Sequence, residues 1–182
     1  MQIETERTII RRFQSGDWKD LQEIAISNEN SGFADCDHAW PLDEDGIKGA
    51  CSYFAGDSQY WAVEAKALKK VVCFVSFNYI DENQSLDIGH VSNNVFFFEE
   101  YDYEALKALF YYAFLELGAE SIHAGWALAD EKKLAPLRKL GMKVVETMAA
   151  DKFRPGPDGK IGTFEGCKLA IDKAQWMQKP VL

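Results

Sequence analysis

The sequence predicts an α/β protein built on a mixed sheet. Strand and helix periodicities alternate along the whole chain, and several helices fall between strands that can be joined only by crossing over the sheet. No repeat, low-complexity tract or Pro/Gly-rich linker interrupts the pattern, so residues 1–182 are expected to form one domain. A chain of 182 residues is long enough to bury a sizeable core.

The elements follow in order. Ile3–Phe13 is expected as a first strand, with Thr8-Ile-Ile between charged flanks. Ser15 or Asp17 caps a helix to about Ser27, whose inner face is Trp18, Leu21, Ile24 and Ala25. Gly32–Pro41 has loop composition, and a second helix is expected from Asp43 to Ala55, ending near Gly56. Three strands come next, Tyr60–Ala65, Lys70–Ile80 and Leu86–Ser92, the last two joined by the turn Asp81-Glu-Asn-Gln.

A strong helix is predicted over Tyr103–Leu117. Its apolar stripe is Leu106, Leu109, Phe110, Ala113 and Leu117, and Gly118 stands at its stop. Ser121–Ala127 is a strand, and Glu131–Leu140 a helix ended by Gly141. Pro136 is compatible with that helix only within its first turn, where a missing N–H does no harm. Val144–Lys152 and Thr163–Ile171 flank Pro155-Gly-Pro-Asp-Gly and form a long hairpin.

Composition narrows the function classes. Apolar residues at 47% and charged residues at 27% mark a globular chain, not a disordered one. Twenty basic against twenty-nine acidic side chains give a net charge of −9, which opposes binding to nucleic acid or anionic lipid. No apolar run approaches the ~20 residues of a membrane-spanning helix. The opening Met1-Gln-Ile-Glu-Thr-Glu-Arg lacks an apolar signal core, so a cytoplasmic location is expected. Cys36, Cys51, Cys73 and Cys167 show no CxxC pairing and are expected as free, mostly buried thiols, with no metal site.

Four segments carry a family resemblance. Glu4-Thr-Glu-Arg-Thr-Ile-Ile-Arg-Arg-Phe resembles the opening strand of GNAT acetyltransferases, especially the branch that acetylates N-terminal amines of ribosomal proteins. Asp87-Ile-Gly-His-Val is similar to the strand before that branch's acetyl-CoA loop. The stretch from Glu104 through Gly118-Ala resembles the helix after it, and Leu137-Arg-Lys-Leu-Gly-Met the family segment that ends in "EKLGF". The resemblance implies a GNAT-like fold and acetyl-CoA as co-substrate. The acceptor it implies is a primary amine on a small molecule or a protein N-terminus; a homodimer is left open.

The same resemblance assigns candidate residues. Asp87 stands where many relatives carry a Glu general base, which the attacking amine needs because an ammonium is not nucleophilic. His90, three residues on and so on the opposite strand face, is the second catalytic candidate. The sheet is expected to splay after Asp87–Val91, freeing backbone groups, Val91 among them, for the pantetheine. The family's pyrophosphate loop maps onto Phe97 and the cofactor candidates Phe98, Glu99, Glu100, Tyr101, Asp102 and Tyr103. Phe98 and Glu100 occupy its glycine positions, and three carboxylates bring negative charge towards a negative ligand. Asp130 and Lys133 map onto an Asn and a Ser near cofactor and acceptor. Two functions follow from these residues: an acetyl-CoA-dependent N-acetyltransferase, or a degenerate relative that keeps the fold and acts as a binding module.

Overall fold

The computed structural model describes residues 2–156 and 158–178. Eight strands form one mixed sheet in the order β1-β2-β3-β4-β5-β6-β8-β7. They are β1 (Ile3–Glu4), β2 (Thr8–Arg11), β3 (Tyr60–Ala65), β4 (Lys70–Ile80), β5 (Ser85–Ser92), β6 (Ser121–Ala127), β7 (Lys143–Pro155) and β8 (Ile161–Asp172). The helices are α1 (Trp18–Glu29), α2 (Glu44–Gly56), α3 (Tyr101–Leu115), α4 (Glu131–Lys139) and α5 (Lys173–Met177).

β5 and β6 are parallel neighbours; every other ladder is antiparallel. A parallel pair needs a crossover, and α3 supplies it. Its stripe from Ala105 to Phe114 is buried on the face that also receives Trp61, Val63, Val75, Leu86 and Ile88. α1 and α2 cover the other face, around Phe13, Ala62, Phe74 and Val91. Alternate residues along each strand therefore feed two cores, the period-2 geometry of a sheet buried on both faces. Gly118 takes φ +72 just past α3, and Ala119 N–H bonds back to Ala113, closing the helix end.

The structure departs from the sequence expectations at five places. The first strand is a hairpin: Ile3 pairs with Ile10 and Glu4 with Ile9. The Thr5 hydroxyl meets that of Thr8 at 2.6 Å, locking the turn between them. Asp17 does not cap α1 through its side chain; its carboxylate takes Arg11 at 2.7 Å and the Gln14 N–H at 2.8 Å. An ion pair to a guanidinium outcompetes the helix start for a charged acceptor. Pro136 sits beyond the first turn of α4 and is buried, so that helix lacks one internal hydrogen bond.

The remaining two concern ends. α5 was hidden behind the last strand, although Asp172 and Gln175 form a capping box that starts it. The segment mapped onto the pyrophosphate loop, Phe97–Tyr103, runs from the end of a 3-10 turn over Asn94–Glu99 through left-handed Glu100 into the first turn of α3. The predicted turn from Pro155 includes Pro157, which lies outside the described residues; on either side of it Pro155 pairs with Ile161. All four cysteines are buried. Among the described residues no helix is long and apolar enough to cross a membrane.

Candidate active site

The site begins where one ladder stops. β5 and β6 pair only through Ser85–Ser121, Leu86–Ile122 and Asp87–His123. Beyond Asp87 no further pair joins the two strands, and two cavities open around the C-terminal ends of β5 and β6. The larger, about 830 Å³, lies between the end of α1, the end of β5, the start of α3 and the start of α4. The smaller, about 390 Å³, is bounded by the loop before α2, by β3–β5 and by β6. His90, Val91 and Lys133 belong to the walls of both. Both volumes lie within the range of small-molecule sites.

Asp87 lines the smaller cavity. A bulge in β4 inserts Asn78 between the residues paired with Ile88 and Asp87, and the Asn78 amide donates to the Asp87 carboxylate at 2.7 Å. That contact orients the carboxylate. Gly89, two residues on, lies close to β4: a Cβ there would stand 2.8 Å from the Ser76 hydroxyl oxygen, which would have to turn away. Asp37, Trp40, Tyr60 and Trp126 complete much of the wall. Two carboxylates among aromatic faces suit a cationic amine.

Asp37 and Trp40 sit in the stretch read from sequence only as a loop. Its position is set from far along the chain. Arg154 in β7 pairs with Glu29 at 2.6 Å, Lys152 pairs with Asp35 at 2.6 Å, and Glu29 also accepts the Trp40 N–H at 3.0 Å. Glu29 is held below the usual carboxylate range, burial being outweighed by Arg154 and the Trp40 N–H. Charge-to-charge spacing of this kind leaves no local pattern in sequence. The one readable signal was the cluster of aromatic and acidic residues from Phe33 to Trp40.

His90 is buried at 4% exposure, on the face opposite Asp87. Burial, reinforced by the Lys133 ammonium, pushes its pKa down to about 3, against a hydrogen bond to the Lys133 backbone. It is a neutral imidazole at any working pH. Between pH 6.5 and 3 the unfolded chain binds a proton at His90 that the folded chain refuses, so stability falls as pH falls. The expected loss on going from pH 7 to pH 4.5 is on the order of 2 kcal/mol from this one residue. His90→Gln should flatten thermal unfolding midpoints over that interval; an unchanged pH slope would show that His90 does not cause it. His123, register partner of Asp87, bonds Ser121 at 3.0 Å and lines neither cavity.

The cofactor candidates divide. Val91, Asp102, Asp130 and Lys133 line the larger cavity; Phe98, Glu99, Glu100, Tyr101 and Tyr103 do not. Phe98 is 90% exposed. Glu100 adopts φ +53, the left-handed conformation natural to glycine, and its carboxylate is paired with Lys139 at 2.6 Å. Of the carboxylates Glu99, Glu100 and Asp102, only Asp102 lines the cavity. Its carboxylate accepts from the Ser92 hydroxyl at 3.1 Å and from the Tyr103 N–H at 2.8 Å, and burial raises its pKa. Asp102 thus supplies its own anion to the N-terminus of α3.

Asp130 caps α4, accepting from the Lys133 N–H at 3.2 Å and the Trp126 indole at 2.8 Å. Across the cavity, Asn28 is buried and its side-chain N–H₂ has no partner among the described residues. Nothing in the sequence marked Asn28, which lies on α1 at the edge of its apolar stripe.

The mixed sheet thus stops pairing early at its one parallel ladder, and two cavities share His90, Val91 and Lys133 there. Residues 7–143 match the family model of the acetyltransferase (GNAT) domain, and the chain belongs to that family. Solved structures agree on the fold. A GNAT-family acetyltransferase from Bacillus anthracis superposes with a TM-score of 0.77 at 21% identity, over 94% of this chain and 98% of that one. The ribosomal-protein-S5-alanine acetyltransferase of Vibrio fischeri gives 0.75 at 17%, over 99% and 100%. The microcin C7 self-immunity acetyltransferase, solved with acetyl-CoA and AMP, gives 0.73 at 12%, over 92% and 93%. Comparison with curated proteins returns no match.

Proposed function

We infer that the protein transfers an acetyl group from acetyl-CoA to a primary amine, either a protein N-terminus or a small amine, by direct attack. The observation that carries this reading is the pair of cavities sharing His90, Val91 and Lys133 where β5 leaves β6. The larger cavity suits the thioester donor: it has the volume, the unpaired Asn28 amide and the freed edge of β5. The smaller suits the acceptor, because Asp37, Asp87 and the rings of Trp40, Tyr60 and Trp126 attract an ammonium. Asp87, oriented by Asn78, takes the proton that the amine must lose. The amine nitrogen then bonds to the acetyl carbon, and CoA leaves as the thiol. A resemblance to a ribosomal-protein acetyltransferase makes a protein N-terminus the first acceptor to try.

A second reading, a GNAT fold that binds without catalysing, is favoured by one observation. Asp102, Asp130, Glu23 and Glu131 all line the larger cavity, against only Lys132 and Lys133, which opposes a pyrophosphate. Calorimetric titration with acetyl-CoA decides between them. With a Kd near 10 μM, 1 mM ligand adds roughly 2.7 kcal/mol of stability, and thiol release should follow when amines or N-terminal peptides are added. No binding at 1 mM would remove the transferase reading.

A further inference from the structure

Lys133 stands where the two cavities share a wall. Its backbone is fixed by the Asp130 cap, and its Nζ lies over the Trp126 ring, 3.1 Å from the ring centre. The ring cannot drift, because the Trp126 indole N–H is bonded to Asp130 at 2.8 Å. A lysine ammonium ordinarily finds a carboxylate; this one makes no ion pair among the described residues and sits on an aromatic face instead. It therefore places an amine of the chain itself at the wall that both cavities share.

We propose that Lys133 is itself an acetyl acceptor, modified in cis by the thioester held in the larger cavity. The proposal rests on the reading of that cavity as the donor site. The Lys133 Nζ lone pair attacks the thioester carbonyl carbon; the C–N bond forms, the C–S bond breaks, and its electron pair leaves on sulfur. The proton lost by the amine goes to the thiolate, so the products are Nε-acetyl-lysine and free thiol, with no oxidant or reductant involved.

The local chemistry favours the step. Burial pulls the Lys133 ammonium down to about 8, although the surrounding acidic groups, Asp37, Asp130 and Cys36, oppose it. His90, the remaining titratable group against it, is neutral and offers no competing cation. At pH 7.5 the free-amine fraction is then on the order of 10²-fold above that of an ordinary lysine, and lower basicity cancels part of the gain. Acetylation removes the charge and adds bulk at the shared wall.

The experiment uses two donors on the purified protein, acetyl-CoA and the truncated thioester S-acetyl-N-acetylcysteamine, which has no pyrophosphate and so does not depend on the charge of the larger cavity. Peptide mass mapping over time measures acetylation at every lysine. Lys133 should be modified at least about tenfold faster than any other lysine by both donors, with a rate that rises from pH 7 to pH 8.5. Lys133→Arg should take up no acetyl group at that position and keep the slow background elsewhere. Labelling spread evenly over surface lysines, or a Lys133 left bare by both donors, overturns the proposal, whether or not acetyl-CoA binds by calorimetry. Labelling by the truncated thioester alone would uphold Lys133 as acceptor and refute acetyl-CoA as the resident donor.

Discussion

Asp87→Asn is expected to lower kcat about 10²- to 10⁴-fold at neutral pH, with a much smaller effect on the acceptor KM. The substitution is close to isosteric, and its side-chain oxygen can still accept from the Asn78 amide, so the bulge and the cavity wall stay in place. What is lost is the capacity to take a proton. An amine held as ammonium has no lone pair for the thioester, and only its rare neutral form would react. Raising the pH restores that form, so the variant's deficit should shrink as pH rises, whereas a deficit from misplaced binding would not. Asn78→Ala supplies the companion measurement: it leaves the carboxylate and removes its guide, and should cost less. An Asp87→Asn protein with wild-type kcat would leave Asp87 a wall residue, with some other group collecting the proton.

Asp102→Asn should tighten acetyl-CoA binding about tenfold, which corresponds to about 1.4 kcal/mol. The carboxylate faces the larger cavity beside the N-terminus of α3, where an anionic ligand would gain most from free N–H groups. Repulsion at 4–6 Å and an effective dielectric of ~20 amounts to roughly 3–4 kcal/mol before relaxation and screening, and the raised pKa of Asp102 allows part of it to be relieved by proton uptake. Asparagine keeps one acceptor oxygen for the Tyr103 N–H, and its N–H₂ can donate to the Ser92 hydroxyl oxygen once that hydroxyl turns, so folding is little disturbed. Glu100→Gly serves as the contrast. It replaces a residue at φ +53 and frees Lys139, yet its side chain does not line the cavity, so it should raise stability more than affinity. Calorimetry on both variants separates the two effects. If Asp102→Asn binds no better than wild type, the phosphates do not lie near α3.

The contrast between these residues shows how far a local reading carries. The spacing of charges from Glu99 to Asp102 marked the segment as hostile to an anion, but it could not say which carboxylate matters. Phe98 and Glu100 attracted attention because glycine was expected there; the structure turns Phe98 to solvent and pairs Glu100 with Lys139. Asp102, one turn into the segment, is the residue that faces inward. Lys133 was legible only as the counterpart of a small polar residue, and its seat on Trp126 depends on a strand and a helix meeting.

Local patterning along the chain specifies the order of elements, the crossover through α3, and the opposition of Asp87 to His90 across β5. Those features follow from periodicity: a stripe at 3.6 residues must be covered, a strand alternates its faces, and a parallel neighbour demands a helix between. Long-range packing sets where the β5–β6 ladder ends, that Asn78 bulges out to hold Asp87, and that Arg154 and Lys152 fasten the loop carrying Asp37 and Trp40. These depend on pairs such as Glu29 with Arg154, more than a hundred residues apart, whose contact is set by packing of whole elements and leaves no local repeat to read.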